Sequence, residues 1–124
     1  MTGAPRSTTL SSPKPARVPV AVLRIPKQTF DSPEQLERQL QRFPSARAGS
    51  FEELLADAEL DAVVLATPVP THAELATRVL EAGKHCFVEK PLGQSVEEAE
   101  RVVEAAHVGG LVLMVGHLLE YHPG

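Results

Sequence analysis

The chain has 124 residues, a length that accommodates one domain of ordinary size rather than two full ones. Its net charge is −4 and it carries no basic block, so the electrostatic footprint of a nucleic-acid-binding protein is missing and a small-molecule partner is expected. No apolar run approaches the roughly 18 residues of a membrane span, and no signal-peptide core is visible near the N-terminus. Cys86 is the only cysteine and lies in an apolar run, which predicts an inert buried thiol in a reducing, cytoplasmic setting.

Residues 1–17 differ in composition from the rest of the chain. Pro5, Pro13 and Pro15 occur among Ser and Thr, and this composition predicts a disordered tail. No acidic residue precedes Asp31, as in organelle transit peptides, but the prolines oppose the amphipathic helix that such peptides form. Folded structure is therefore expected from Val18 onward.

The first elements of the folded part are a strand and two helices. Val20–Leu23 is short and apolar, which predicts a strand. Ser32 and Pro33 have the pattern of an N-cap and a first helical residue, and one apolar helical face then follows at Leu36, Leu40 and Phe43. A capping box from Ser50 to Glu53 predicts a second, short helix.

From Ala62 onward, strands and helices alternate. Ala62–Leu65, His85–Val88 and Leu111–Val115 are predicted strands, and Gly83 is the expected stop of the helix between the first two. Capping boxes at Thr71–Glu74 and Ser95–Glu98 predict the intervening helices, whose apolar positions are Leu75, Val79, Leu80, Val102, Val103 and Ala106. Such alternation predicts an α/β fold with a parallel sheet whose ligand lies at the carboxyl ends of the strands.

The residues with unusual chemistry follow three successive strands. Because the carboxyl ends of parallel strands share one edge, they are expected to lie together and to form a ligand site. They are Thr67 and Pro68, then Glu89, Lys90 and Pro91, then Gly116 and His117.

Two segments carry a resemblance to a known family. "DAVVLATPVPTHAELATRVLEAGKHCFVEKPLGQSVEEAERVV" and "VLMVGHLLEYHP" resemble the N-terminal domain of the glucose-fructose oxidoreductase, inositol dehydrogenase and rhizopine-catabolism (Gfo/Idh/MocA) family, over residues 47–123. The resemblance implies a Rossmann-type domain and hydride transfer between NAD or NADP and a sugar, cyclitol or nucleotide sugar. It implies that Lys90 is the catalytic residue beside the nicotinamide and the reacting hydroxyl.

The same resemblance implies the residues that contact the cofactor. They are Thr67, Pro68, His72, Glu89, Lys90, Pro91 and His117. A cis Lys90–Pro91 bond, common in the family, would turn Lys90 into the cleft, and Glu89 would orient Lys90 or touch the cofactor. His117, Glu120 and His122 also invite a metal site, but they lack the cysteine or the helical His-x-x-x-His face of such sites, and no metal is expected.

The chain departs from the family pattern in ways that weaken the catalytic interpretation. No two of its glycines form a G-x-G, so the glycine-rich loop that holds the pyrophosphate is missing. Val20–Leu23 resembles the family's second strand, with Arg24 at the place of the acidic residue that contacts the ribose, and arginine there would favour NADP. Residues 18–124 are thus expected to form an incomplete Rossmann domain that lacks its first strand, with no substrate domain.

These departures leave two main hypotheses. One is a truncated oxidoreductase-family member, acting on a sugar-like substrate in its complete form but binding cofactor weakly and inactive as an isolated chain. The other is a non-catalytic remnant or interaction module, and a flavodoxin-like single-domain binder is a third alternative. Self-association is expected from the unpaired inner strands, unless residues 18–23 shift inward to take the central place.

Overall fold

The computed structural model describes residues 20–23 and 33–117. The predicted tail at 1–17, the cap at Ser32, the cofactor preference at Arg24 and the pair Glu120 and His122 lie outside the described residues. Four strands, four helices and one turn of 3-10 helix occur within them. They are β1 (Val20–Leu23), α1 (Pro33–Arg42), α2 (Phe51–Ala56), β2 (Ala62–Leu65), the 3-10 turn Val69–Thr71, α3 (His72–Glu81), β3 (His85–Glu89), α4 (Val96–Gly109) and β4 (Leu113–Gly116).

The strands form one parallel sheet in the order β1-β2-β3-β4. This confirms the predicted α/β class with a partial Rossmann-like sheet. The strand β1 pairs directly with β2, with Val20 opposite Ala62. In the doubly wound order the first strand lies between the second and the fourth, and β2 takes the place of the fourth. A strand that pairs directly with β2 therefore holds the first strand's place, and the interpretation of Val20–Leu23 as the family's second strand is wrong. It lies where a first strand would pair, the inward position that the sequence left as an exception.

The core lies on one face of the sheet. Val63, Leu65, Cys86 and Val88 alternate with less buried neighbours, and register aligns Val63 with Cys86 and Leu65 with Val88. The helix α3 packs on this face of β2 and β3, and α4 packs against α3. The predicted inward positions of these helices are buried except for Val103, which is 53% exposed. They are Leu75, Val79 and Leu80 of α3, and Val102 and Ala106 of α4.

The helix ends confirm some of the capping predictions. The capping box of α2 is complete, with the Ser50 hydroxyl accepting from Glu53 N–H and the Glu53 carboxylate accepting from Ser50 N–H. Ser95 caps α4 by accepting from Glu98 N–H, but the Glu98 carboxylate accepts from Gln94 N–H instead of closing the box. Gly83 ends α3 in a left-handed conformation with φ 78°, as predicted.

Two predicted features differ in the structure. The box at Thr71–Glu74 is wrong, because Thr71 has helical dihedrals and its hydroxyl makes no capping hydrogen bond. The 3-10 turn before α3 already directs the chain into the helix, so the extended backbone that an N-cap needs is absent. The last strand begins at Leu113 rather than Leu111, because Leu111 N–H donates to Ala106 as part of the end of α4.

The helix α1 forms as the apolar spacing indicates, but none of its residues is buried. Leu36 and Phe43 are each 52% exposed. The amphipathic pattern therefore predicted the helix correctly and its packing incorrectly, since of the three apolar positions only Leu40 is partly buried. No helix among the described residues is long and apolar enough to cross a bilayer.

Candidate functional site

The carboxyl edge of the sheet brings the predicted site residues together. Register places Leu65 opposite Val88, and Glu89 opposite Gly116, so the three strands end side by side. The three predicted groups lie at these ends: Thr67 and Pro68 come after β2, while Glu89 and Gly116 are the last residues of β3 and β4 and are followed by Lys90 and Pro91 and by His117. One edge of one sheet thus carries all of the predicted site residues except His72, which begins the helix after β2.

Lys90 is exposed at the end of β3, directly after the last strand residue, Glu89. The Lys90–Pro91 peptide bond is cis, as predicted. The ammonium group makes no ion pair with Glu89, so it is available to a bound molecule at this edge.

Glu89 lies across the neighbouring strand rather than towards Lys90. A Cβ built on Gly116 would lie 3.1 Å from the Glu89 Oε2 atom and 3.2 Å from the Phe87 ring. The absence of a side chain at Gly116 therefore leaves room for the Glu89 carboxylate at the end of β4. Two roles were predicted for Glu89. No contact between Glu89 and Lys90 supports the first, the orientation of Lys90, and the second, contact with the cofactor, stays a prediction.

His72 is the first residue of α3 and is 1% exposed. Its Nδ1 lies 2.6 Å from the Pro91 carbonyl oxygen, and its Nε2 lies 2.8 Å from the Thr67 carbonyl oxygen. The ring thus lies between the loop after β2 and the loop after β3. Both of its polar atoms are engaged by the protein.

Hydroxyl groups organise the loop after β2. The Thr71 Oγ1 atom lies 2.7 Å from the Pro68 carbonyl oxygen and 2.8 Å from the Thr67 Oγ1 atom. A hydroxyl has one hydrogen and two lone pairs, so Thr71 can hold both neighbours at once. Thr71, predicted to cap α3, is instead a brace for the loop that carries Thr67 and Pro68.

The remaining histidines have separate environments. His117 is exposed after β4, and its backbone N–H donates to Val115. His85 Nδ1 accepts from Val112 N–H at 3.0 Å, so it joins β3 to the segment before β4. Within residues 33–117, no three acidic, histidine or cysteine side chains are grouped so as to hold a metal ion.

Sequence reasoning missed Lys84, a buried lysine at the opposite end of β3. It is 5% exposed, and its Nζ donates to the carbonyl oxygens of Asp57 at 2.5 Å and Leu60 at 2.8 Å. Its position between Gly83 and the strand carries no signal for burial, because the two acceptors are more than twenty residues away. Lys84 joins the turn after α2 to the start of β3 and lies outside the site.

The described residues fit one end of a dinucleotide better than the other. The edge offers an exposed ammonium at Lys90, the loop at Thr67 and Pro68, and an exposed imidazole at His117. The sequence contains no G-x-G, so it supplies no glycine-rich cradle for a pyrophosphate. The described edge therefore presents side chains that suit a nicotinamide end, without a glycine-rich loop beside them.

Comparison with known proteins identifies the class to which this fold and edge belong. Residues 8–117 match the model of the oxidoreductase family with an NAD-binding Rossmann fold that is called GFO_IDH_MocA. Since the match covers most of the chain, the protein belongs to the Gfo/Idh/MocA oxidoreductase family.

Individual relatives agree with this assignment. The chain is 40% identical over 91 residues to 4-carboxy-2-hydroxymuconate-6-semialdehyde dehydrogenase of Sphingobium sp., a match covering 73% of this chain and 29% of the relative. It is 40% identical over 88 residues to inositol 2-dehydrogenase of Paracoccus denitrificans, covering 68% and 26% of the two chains. A 3-ketoreductase from Actinomadura kijaniata, solved with TDP-benzene and NADP, has a TM-score of 0.68 at 31% identity, covering 83% and 31%.

The chain is also 42% identical over 74 residues to UDP-N-acetylglucosamine 3-dehydrogenase of Acidithiobacillus ferrooxidans, covering 60% and 23% of the two chains. The chain thus spans about a quarter of the length of these curated relatives, between 23% and 29%. The family is therefore established for the Rossmann-type domain, whose cofactor class is NAD or NADP.

Proposed function

We propose that this chain supplies the nicotinamide-side edge of an NAD(P)-dependent oxidoreductase that acts on a sugar, a cyclitol or a nucleotide sugar. One observation carries the proposal: Lys90 is an exposed, unpaired ammonium at the carboxyl edge of a parallel sheet, between the ends of two neighbouring strands. Open α/β sheets bind their ligands at this edge. The relatives that act on inositol and on nucleotide-linked sugars support the substrate class.

The chemistry explains why a lysine is suited to this place. Oxidation of a carbinol carbon transfers a hydride to the bound nicotinamide and releases the hydroxyl proton. In this direction Lys90, as the neutral amine, accepts the hydroxyl proton as the carbonyl forms, and the ammonium that results hydrogen-bonds the carbonyl oxygen. In the reverse direction the ammonium donates that proton.

The other residues of the edge bind and orient the cofactor in this proposal. Thr67 and Pro68 line the cleft after β2, and Pro91 forms its wall after Lys90. Glu89 and His117 contact the cofactor from the ends of β3 and β4. The support is their common position at one edge, together with the family to which the domain belongs.

A fusion protein tests the catalytic part. The chain would be joined to the glycine-rich loop unit and the substrate domain of a complete relative, and the turnover of a sugar alcohol would be measured. Lys90→Ala should lower turnover by about 10²–10⁴-fold, the range for a positioned acid–base group. Lys90→Arg should restore little, because a guanidinium keeps its proton and its planar fork does not match one hydroxyl.

The matched control is Arg101→Ala, which removes an exposed cation from α4 away from the edge. It should leave turnover unchanged. Turnover in Lys90→Ala equal to that of the Arg101→Ala control would refute the role of Lys90.

The alternative function is a non-catalytic interaction module of the same fold. The absence of any G-x-G in the chain favours it, since a diphosphate cradle is needed for ordinary dinucleotide affinity. An active fusion in which the edge of this chain determines turnover would exclude the alternative, and an inactive but well-folded fusion would support it.

A further inference from the structure

His72 occupies a position that the proposed chemistry leaves unexplained. A buried histidine at the first position of a helix is neither exposed to a ligand nor placed as a cap, yet both of its ring nitrogens have close partners. Those partners are the carbonyl oxygens of Thr67 and Pro91, which belong to two different strand-end loops. No other described side chain joins these two loops.

The two carbonyls have no backbone partner among the described residues, because both lie outside the sheet ladder. A buried carbonyl oxygen without a hydrogen-bond donor destabilises the folded state, so a side-chain donor at either carbonyl stabilises the loop that carries it. A carbonyl oxygen only accepts and a neutral imidazole carries one N–H, so the neutral ring donates to one of the two carbonyls and only the imidazolium donates to both.

The Pro91 contact transmits this restraint to Lys90. Pro91 is joined directly to Lys90 and its ring restricts its own backbone, so holding its carbonyl oxygen limits the orientation of the preceding peptide unit. The Thr67 contact holds the opposite wall of the edge, where the Thr71 hydroxyl already braces the loop. One imidazole therefore sets the spacing between the two loops.

We propose that His72 is a positioning residue whose two ring nitrogens contact the Pro91 and Thr67 carbonyl oxygens, tie the Thr67 loop to the Pro91 loop and thereby place Lys90 at the edge. It does so without contacting cofactor or substrate, since its polar atoms are already engaged. The tie itself is a property of this chain alone, and its consequence for catalysis rests on the proposed function.

Two amide substitutions can break the tie one side at a time. The side-chain nitrogen of asparagine lies near the position of histidine Nδ1, and that of glutamine lies near Nε2. His72→Asn should therefore retain the bond to Pro91 and lose the bond to Thr67, while His72→Gln should do the reverse. The measurement is the carbonyl ¹³C chemical shift of Thr67 and of Pro91 in the labelled chain, without cofactor.

The expected result is a reciprocal pattern. His72→Asn shifts the Thr67 carbonyl signal and leaves that of Pro91 in place, while His72→Gln shifts the Pro91 carbonyl and also the amide signal of Lys90. Val79→Ala, a core truncation on the same helix, is the control for lost stability and should move neither carbonyl selectively.

Other outcomes overturn the proposal. If either carbonyl fails to respond to the variant that removes its nitrogen partner, the ring does not tie both loops. If both amide variants unfold while Val79→Ala folds, His72 serves packing alone, because each amide variant keeps one of the two bonds.

A second experiment distinguishes failure of the proposed function from failure of the tie. In the active fusion, His72→Gln should lower turnover by about 10–100-fold, as a misplaced group does, with little change in the KM for cofactor. An inactive fusion with reciprocal carbonyl shifts would refute the proposed function and leave the tie intact. An active fusion without those shifts would refute the tie alone.

Discussion

Cys86 shows how burial controls chemistry at a single residue. It lies in β3, is 2% exposed and contacts the core, and this burial raises the pKa of its thiol to about 12. The thiolate is the reactive form of cysteine, so the folded chain keeps this group inert. The apolar run predicted a thiol that is both buried and unreactive. The burial is confirmed, and the low reactivity stays a prediction that can be measured.

Alkylation of Cys86 by iodoacetamide at pH 8 should be about 10³-fold slower in the folded chain than in the chain unfolded in urea, because a rise of about three pKa units lowers the thiolate fraction by that factor. Mass spectrometry of quenched samples gives both rates. A Val88→Ala variant, which loosens the same strand, should react faster than the parent. Equal rates for the folded and unfolded chains would show that β3 is open to solvent.

At the scale of elements, the helix starts differ in the chemistry that forms them. The α2 start depends on a reciprocal pair, Ser50 and Glu53, whose Ser50 N to Glu53 Oε2 distance is 2.6 Å. The hydrogen bond from the Ser50 backbone holds the pKa of Glu53 below its ordinary value. A carboxyl group with a depressed pKa stabilises the folded state above its unfolded pKa and loses that contribution as pH falls through its folded pKa.

The free energy of unfolding should therefore differ between the parent chain and Glu53→Gln at neutral pH, with the parent more stable. The difference should shrink as the pH falls below about 4, where the parent carboxylate takes up its proton. Chemical denaturation followed by circular dichroism at a series of pH values measures it. Glu104→Gln, on the exposed side of α4, is the control and should show no such dependence. A pH-independent difference would mean that Glu53 acts through helix propensity alone.

At the scale of the whole molecule, pairing of β1 with β2 changes the expected exposure of the sheet. The strand β2 has partners on both sides, so the unpaired inner edge that the sequence predicted beside it does not occur. The opposite face remains less covered than the core face. Register aligns Val64, Phe87 and Met114 in one row across it, and Met114 is 45% exposed.

We expect the chain to self-associate through this row, because apolar side chains across neighbouring strands form a continuous surface. Sedimentation velocity should show a weight-average mass that rises with concentration. Met114→Glu should reduce this rise, because it places a charge at the β4 end of the row, on its most exposed side chain. Val103→Glu adds the same charge at a 53% exposed position of α4 and should leave association unchanged. A monomer at all concentrations would contradict the expectation.

Cofactor affinity is also a property of the whole molecule. Without a G-x-G-x-x-G loop, the chain lacks several charge-assisted hydrogen bonds to the diphosphate, at about 1.5–3 kcal/mol each. Since about 1.4 kcal/mol is tenfold in affinity, we expect a Kd for NAD(H) or NADP(H) of about 1 mM or weaker. Isothermal titration calorimetry measures it. Binding at micromolar concentration would show that other residues hold the diphosphate.

Several features of this protein follow from local sequence. The alternating strands and helices, the serine caps at Ser50 and Ser95, and the left-handed stop at Gly83 are each determined by residues within a few positions. The candidate site follows for a related reason, because parallel strands end at one edge and the sequence places Thr67, Lys90 and His117 within two residues of the ends of three of them. Such patterns are visible in a single sequence.

Other features were decided only by tertiary structure, because they depend on partners distant in the chain. The place of β1 is set by pairing with β2 about forty residues later, and the exposure of Leu36 and Phe43 by the packing of α1, of whose apolar positions only Leu40 is partly buried. Thr71 has the sequence pattern of a cap, but the turn before it gives its hydroxyl other partners. His72 reaches Pro91 nineteen residues away, and a contact of that kind exists only once two loops have been brought to the same edge of the sheet.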